Sequence, residues 1–198
     1  MKPLCRSLHE ALQDGAEHAH GMMRMEGLLG PEHNWHRHNH TRVKAAQWLQ
    51  RNQADIAPWK VLPRLKTGSL QLVCGDATIR VLRGLDGGLP VPGTNKARRA
   101  FYMQPTITGM SVEQALPGLE MSKFIATWEV LDLETFEVGI RVFRTTGTFE
   151  IGDQGKADLA FWLPNDADEL DHLTFEPSDD GIDLPIAQEE SGDEPVHG

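Results

Sequence analysis

Seven of the nine histidines fall between His9 and His40, and four of these, His33, His36, His38 and His40, stand within a single run of eight residues. Neutral imidazole nitrogens are ligands for zinc and related metals. In a helix His33, His36 and His40 share a face, whereas in an extended segment His36, His38 and His40 do. Either grouping stops at three ligands, and Arg37 in the middle of the run repels a cation. The competing reading is a solvated, His-rich loop leading into a helix. No cofactor is therefore expected, with zinc as the alternative. A metal-assisted nuclease or hydrolase at His33–His40 would need carboxylates such as Asp76 or Glu129 to complete it.

Three other motifs fail on spacing. His9-Glu10-Ala11-Leu12-Gln13 has Gln13 where a zincin helix needs its second histidine. Gly88 to Lys96 outlines a phosphate loop, but Thr94 follows Gly93 where lysine belongs, and Pro90 and Pro92 have no N–H to offer a phosphate. Gly109-Met110-Ser111-Val112-Glu113 lacks the closing glycine of a nucleophile elbow.

Lys96, Arg98 and Arg99 stand beside Phe101 and Tyr102, the mixture that a single-stranded nucleic-acid binder uses. Cations follow the phosphates, and rings stack on bases for roughly 1–3 kcal/mol each. Lys60, Arg64, Lys66, Arg80 and Arg83 are further cations that neighbouring elements would add. The alternative is a strand whose two rings are core and edge residues, next to an ordinary solvated loop.

The charge is distributed unevenly. Residues 1–104 carry 15 Lys and Arg against 8 Asp and Glu, and residues 105–198 carry 4 against 21, so balances of +7 and −17 make the net −10. A basic half suits a polyanion, while an acidic segment competes for the same contacts or docks a basic partner. Cys5 and Cys74 are too few for a disulfide framework, and no apolar run has the length of a signal peptide or a bilayer span. A soluble cytoplasmic protein with no membrane contact is the expectation.

Those residues need elements to hold them. Leu8, Ala11, Leu12, Ala19, Met22 and Met23 recur at helical spacing and predict a helix over 6–28, weakened by Gly15 and Gly21. A second helix is expected from Asn39 or Thr41 to Asn52. Alternation then predicts one hairpin over Ser69–Cys74 and Ala77–Arg83, and another over Lys123–Leu131 and Thr135–Arg144. In the return strand of the second, Phe136, Val138, Ile140 and Val142 are expected on one face. Lys156–Leu163 makes a fifth strand, and Arg98–Gln104 is a candidate extra one.

The expected fold is α+β: two N-terminal helices packed on an antiparallel sheet of about five strands, as one domain over residues 1–164. Residues 165–198 are expected to form a disordered acidic C-terminal tail.

On this reading the chain is an accessory or regulatory protein rather than an enzyme. It binds nucleic acid, or a complex that handles it, through Lys96, Arg98, Arg99, Phe101 and Tyr102, and the tail modulates that contact. Two alternatives stand beside it. One is a protein-interaction partner, such as an antitoxin-like inhibitor or a phage assembly factor, with no nucleic-acid contact. The other is the hydrolase at His33–His40.

Overall fold

Helix α1 runs from Leu4 to Met25 and buries Leu4, Leu8, Ala11, Leu12, Ala19 and Met23, which recur every three or four residues. Its end is defined by Gly27, at φ 70°. There the Leu28 N–H reaches the Met23 carbonyl at 2.8 Å and the Gly27 N–H reaches that of Arg24 at 3.3 Å. These two bonds satisfy carbonyls that the helix would otherwise leave open, so the stop precedes the expected one at Leu29-Gly30-Pro31. The computed structural model containing this helix describes residues 1–62, 69–84, 88–91, 99, 102–104, 123–146 and 156–172.

A single 3-10 turn, Pro31–His33, leads into α2, Asn34–Arg51. The helix therefore starts ahead of the expected Asn39 or Thr41, and Pro31 opens the turn that leads into it. The consequence is that His36, His38 and His40 are helical and project in different directions. Helix α2 buries Thr41, Ala45, Ala46 and Leu49. It crosses α1 closely, because a Cβ placed on Gly15 would lie 2.5 Å from the Thr41 carbonyl oxygen.

Among the described residues six strands follow: β1 (Lys60–Val61), β2 (Leu70–Cys74), β3 (Ala77–Arg83), β4 (Lys123–Val130), β5 (Val138–Thr146) and β6 (Lys156–Trp162). They lie in the order β1-β2-β3-β4-β5-β6. The α+β class and the helix-on-sheet arrangement are as expected, with β1 additional to the five expected strands. All neighbours are antiparallel except β3 and β4, which run parallel. A parallel pair needs a long crossover, and the 39 residues between Arg83 and Lys123 supply it.

One sheet face, with Leu70, Leu72, Ile79, Val81, Ala126, Trp128, Ile140 and Val142, packs under the helices as the main core. On the other face Leu82 and Ile125 pack with Tyr102 and Leu89. Gln104 fastens this side to the sheet, its amide nitrogen donating to the Lys123 and Thr145 carbonyls at 2.7 and 3.1 Å, while its oxygen accepts the Lys123 N–H at 2.9 Å.

Order extends beyond Pro164. A 3-10 turn, Ala167–His172, packs Ala167 and Leu170 against the core, and Asp171 accepts a hydrogen bond from Lys2 at 2.6 Å. The packed body therefore reaches His172, past the boundary expected at residue 164, because two apolar side chains and an ion pair hold these residues down. The rest of the acidic segment, 173–198, lies outside the described residues. Among the described residues, no helix is long and apolar enough to cross a membrane.

Candidate anion-binding pocket

Arg83, the last residue of β3, stands in register with Trp128 across the parallel pair. Ile79, Val81 and Arg83 share one side of the strand, so a cation occupies an apolar parity where the helix layer ends. Its Nη1 donates to the Trp128 carbonyl at 2.8 Å, and its guanidinium carbon lies 5.1 Å from the Trp128 ring centroid. The first turns of α2 bring Arg37, His38 and Thr41 above this pair, α1 adds Ala16 and His20, and the β4–β5 loop adds Leu133 and Phe136. Together with Val130 they enclose a cavity of about 250 Å³.

Phe136 has a backbone φ of 55°, which is unusual for a bulky side chain. The position is held on both sides. Asp132 accepts the Glu134 N–H at 2.8 Å, Gln13 of α1 donates to the Thr135 carbonyl at 3.0 Å, and the Leu131 N–H closes onto Glu137 at 2.8 Å. The Phe136 ring then lies 5.4 Å from that of His20. Phe136 is thus a loop residue, outside the strand expected to start at Thr135. Strain of this kind, about 1–3 kcal/mol, collects where a site requires it.

The cavity is cationic. Among the described residues its lining contains two arginines and two histidines and no carboxylate. His38 sits edge-on to Trp128 at 6.0 Å. Burial, then the neighbouring Arg83, Arg37 and Arg42, lower its pKa to about 4, so it is neutral at pH 7. Arg37 donates to the Asn34 side chain at 2.6 Å. The Thr41 hydroxyl is committed to the Arg37 carbonyl at 2.9 Å. Two buried polar atoms, His20 Nδ1 and Trp128 Nε1, have no hydrogen-bond partner among the described residues, although Trp128 is only 2% exposed. A buried indole N–H without an acceptor costs about 1–3 kcal/mol.

The four histidines of the run are dispersed by α2. His33 lies 3.5 Å from Glu32, His36 stacks on Trp35, His38 enters the cavity, and His40 stacks on His18 at 5.4 Å. Among the described residues no three His, Cys, Asp or Glu side chains gather as metal ligands. Asp76 and Glu129 do not join them. Asp76 is in the turn before β3, about 20 Å along that strand from the cavity. Glu129, between Trp128 and Val130 on β4, alternates to the other sheet face. His9 and Gln13 also serve the fold, bonding to the Cys5 carbonyl at 2.6 Å and the Thr135 carbonyl at 3.0 Å.

Of the basic-aromatic patch, Lys96, Arg98 and Phe101 lie outside the described residues. Arg99 is half-exposed. Tyr102 is a core residue, fully buried, with its hydroxyl donating to the Pro90 carbonyl at 2.7 Å. Its ring has no open face for a base, which corrects the stacking role expected from sequence. Arg99 and Tyr102 have helical backbone, the Met103 N–H reaching the Arg99 carbonyl at 3.2 Å, so the strand expected over Arg98–Gln104 is absent at these residues.

Sequence reasoning missed Arg37, Arg83, His20, Trp128 and Phe136 as one site. The usable signals were Arg83 on the inward parity of β3 and the Arg37, His38, Thr41 spacing on one helix. Comparisons with protein-family models, curated proteins and solved structures give no match to this chain.

Proposed function

We propose that the protein is a non-enzymatic binding protein that takes the oxyanion of a carboxylate or phosphate between Arg37 and Arg83. The observation that carries this reading is a cavity whose described lining has two guanidinium groups and two imidazoles and no carboxylate. Guanidinium forks match planar or tetrahedral oxyanions, and charge-assisted bonds of this type are the stronger ones. The cavity's hydroxyl, on Thr41, is already donated to a backbone carbonyl, which supports binding over nucleophilic chemistry.

This keeps the regulatory role and the anionic partner suggested by the charge asymmetry, and moves the contact from Arg98–Tyr102 to the cavity. Nucleic acid then enters only through a terminal phosphate. The test is intrinsic tryptophan fluorescence during titration with inorganic phosphate and with benzoate, in wild type and Arg37→Gln. A saturable change that the substitution weakens at least tenfold supports the reading, and no saturable change with either anion removes it.

A further inference from the structure

We infer that two copies of this chain form a two-fold symmetric dimer in which their β6 edges pair antiparallel about Phe161, continuing the sheet from one molecule into the other.

The backbone of β6 is arranged for this. It is the last strand in the sheet order and seven residues long, whereas β1 at the opposite edge has two. Among the described residues β6 pairs with β5 alone. The Leu163 N–H donates to the Ile140 carbonyl at 2.8 Å. Alternation then turns the backbone groups of Phe161 toward β5 and those of Ala160 and Trp162 toward the open edge. An antiparallel pair about Phe161 sets Ala160 of each copy opposite the partner's Trp162, where the two exchange N–H···O bonds. Residues opposite each other in such a ladder share a face. Phe161 stands across from Val142 and packs on the core, so Ala160 and Trp162 both point away from the helices.

The side chains fit the same register. Trp162 is 49% exposed and Leu131 58%. They meet over Gly139, where an added Cβ would lie 3.2 Å from each, and so form one apolar patch. The partner's Ala160, exposed and small, leaves room for the indole beside it.

Charge favours this pairing too. Asp158 is engaged by Arg144 within the molecule, whereas Lys156 is exposed and has no ion pair among the described residues. Pairing about Phe161 brings Lys156 to the level of the partner's Asp166, which opens an exposed acidic turn with Asp168 and Glu169. Opposite charges thus meet at both ends of the seam, while a parallel in-register pair would set the two lysines side by side. Edges are commonly blunted by charge, bulges or proline. Here the register shift at Asp158 and Pro164 bracket Leu159–Leu163, which carries no charge. So short a stretch buries less than a standard interface, and the dimer is a weak, concentration-dependent one.

The test is sedimentation equilibrium of the full chain from about 5 to 500 μM, a range that resolves a weak dimer. The mean mass is expected to rise from one chain toward two. Ala160→Pro removes an N–H that faces the open edge, where a strand tolerates proline. It is expected to keep the circular dichroism of wild type and to stay monomeric throughout. Trp162→Ser is expected to raise the dissociation constant at least tenfold, and remains informative if Ala160→Pro fails to fold. Lys156→Glu is expected to raise it about threefold or more. In amide exchange read by NMR, Ala160 and Trp162 should slow as concentration rises, with Phe161 and Leu163 slow at every concentration. A wild-type chain that stays monomeric across the range overturns the inference. So does growth beyond two chains, or a dimer left intact by Ala160→Pro or, where that variant does not fold, by Trp162→Ser. Unchanged affinity of Lys156→Glu overturns the register about Phe161.

Discussion

Gly15 of α1 faces the backbone of Thr41 in α2 so closely that a methyl group at Gly15 would meet the Thr41 carbonyl oxygen at 2.5 Å and the Ala45 nitrogen at 3.3 Å. Gly21, one and a half turns further along, has nothing within 4 Å of the same position. The two glycines look equivalent in the sequence and have opposite roles. Gly15→Ala is expected to lower stability by about 1–3 kcal/mol by forcing the helices apart. Gly21→Ala is expected to raise it by about 0.5–1 kcal/mol through helix propensity. Thermal melts of the two variants check the opposite signs.

Tyr102→Phe leaves the ring in place and removes the bond to the Pro90 carbonyl, at an expected cost of about 1 kcal/mol. Tyr102→Ala is expected to cost about 3–5 kcal/mol as a core truncation. Any nucleic-acid binding by the protein is expected to be the same for wild type and Tyr102→Phe. A base-stacking role would instead show as weaker binding by Tyr102→Ala at temperatures where that variant is still fully folded.

The histidines set a pH dependence. His38 is lowered to about 4, first by burial and then by Arg83, Arg37 and Arg42; His9 and His40 are also lowered, burial being the main cause in each. An unfolded histidine takes its proton near pH 6.5, so below that pH the unfolded chain binds more protons than the folded one and stability falls. The loss begins near pH 6.5 and continues toward pH 4, where His38 itself titrates. Urea denaturation between pH 7 and pH 4.5 should show this decline, and His38→Gln should make it shallower.

Removing one cation from the cavity should register on its neighbour. Arg37→Gln is expected to raise the His38 pKa, because Arg37 is among the charges that lower it. The same substitution is expected to leave stability unchanged or slightly higher, since Arg37 is one of three arginines that crowd His38. Imidazole NMR titration reads the first effect and thermal melting the second.

A chain ending at Pro164 is expected to be about 1–2 kcal/mol less stable than one ending at His172, because it loses the packing of Leu170 and Ala167 on the core. At about 2–4 °C per kcal/mol for a chain of this size, the difference is measurable by calorimetry.

The strands were legible because Leu70, Leu72, Ile79, Val81, Ile140 and Val142 alternate with partners on the opposite face, a period that burial on one face imposes. Strand direction was not, since alternation is the same in parallel and antiparallel pairs; only the long crossover distinguishes β3–β4. The site was hidden for a related reason. Its charged wall joins α2 to β3, and placing the start of α2 at Asn39 or Thr41 left Arg37 and His38 in a loop. Tyr102 was ambiguous on its face, because an aromatic ring beside arginines has the same composition in an interface and at the margin of a core.

The parallel pairing of β3 with β4 also shapes how the molecule assembles. Hairpins such as β2–β3 and β4–β5 are local and close within about 1–10 μs, whereas joining them closes a 39-residue loop, whose entropy cost must be met before that contact gives anything back. Arg83 and Trp128 meet across this junction of high contact order. Their direct contact is therefore a latch on the seam between two locally folding halves. If the seam is the last part to form, such a latch lengthens the lifetime of the folded state and leaves the folding rate nearly unchanged.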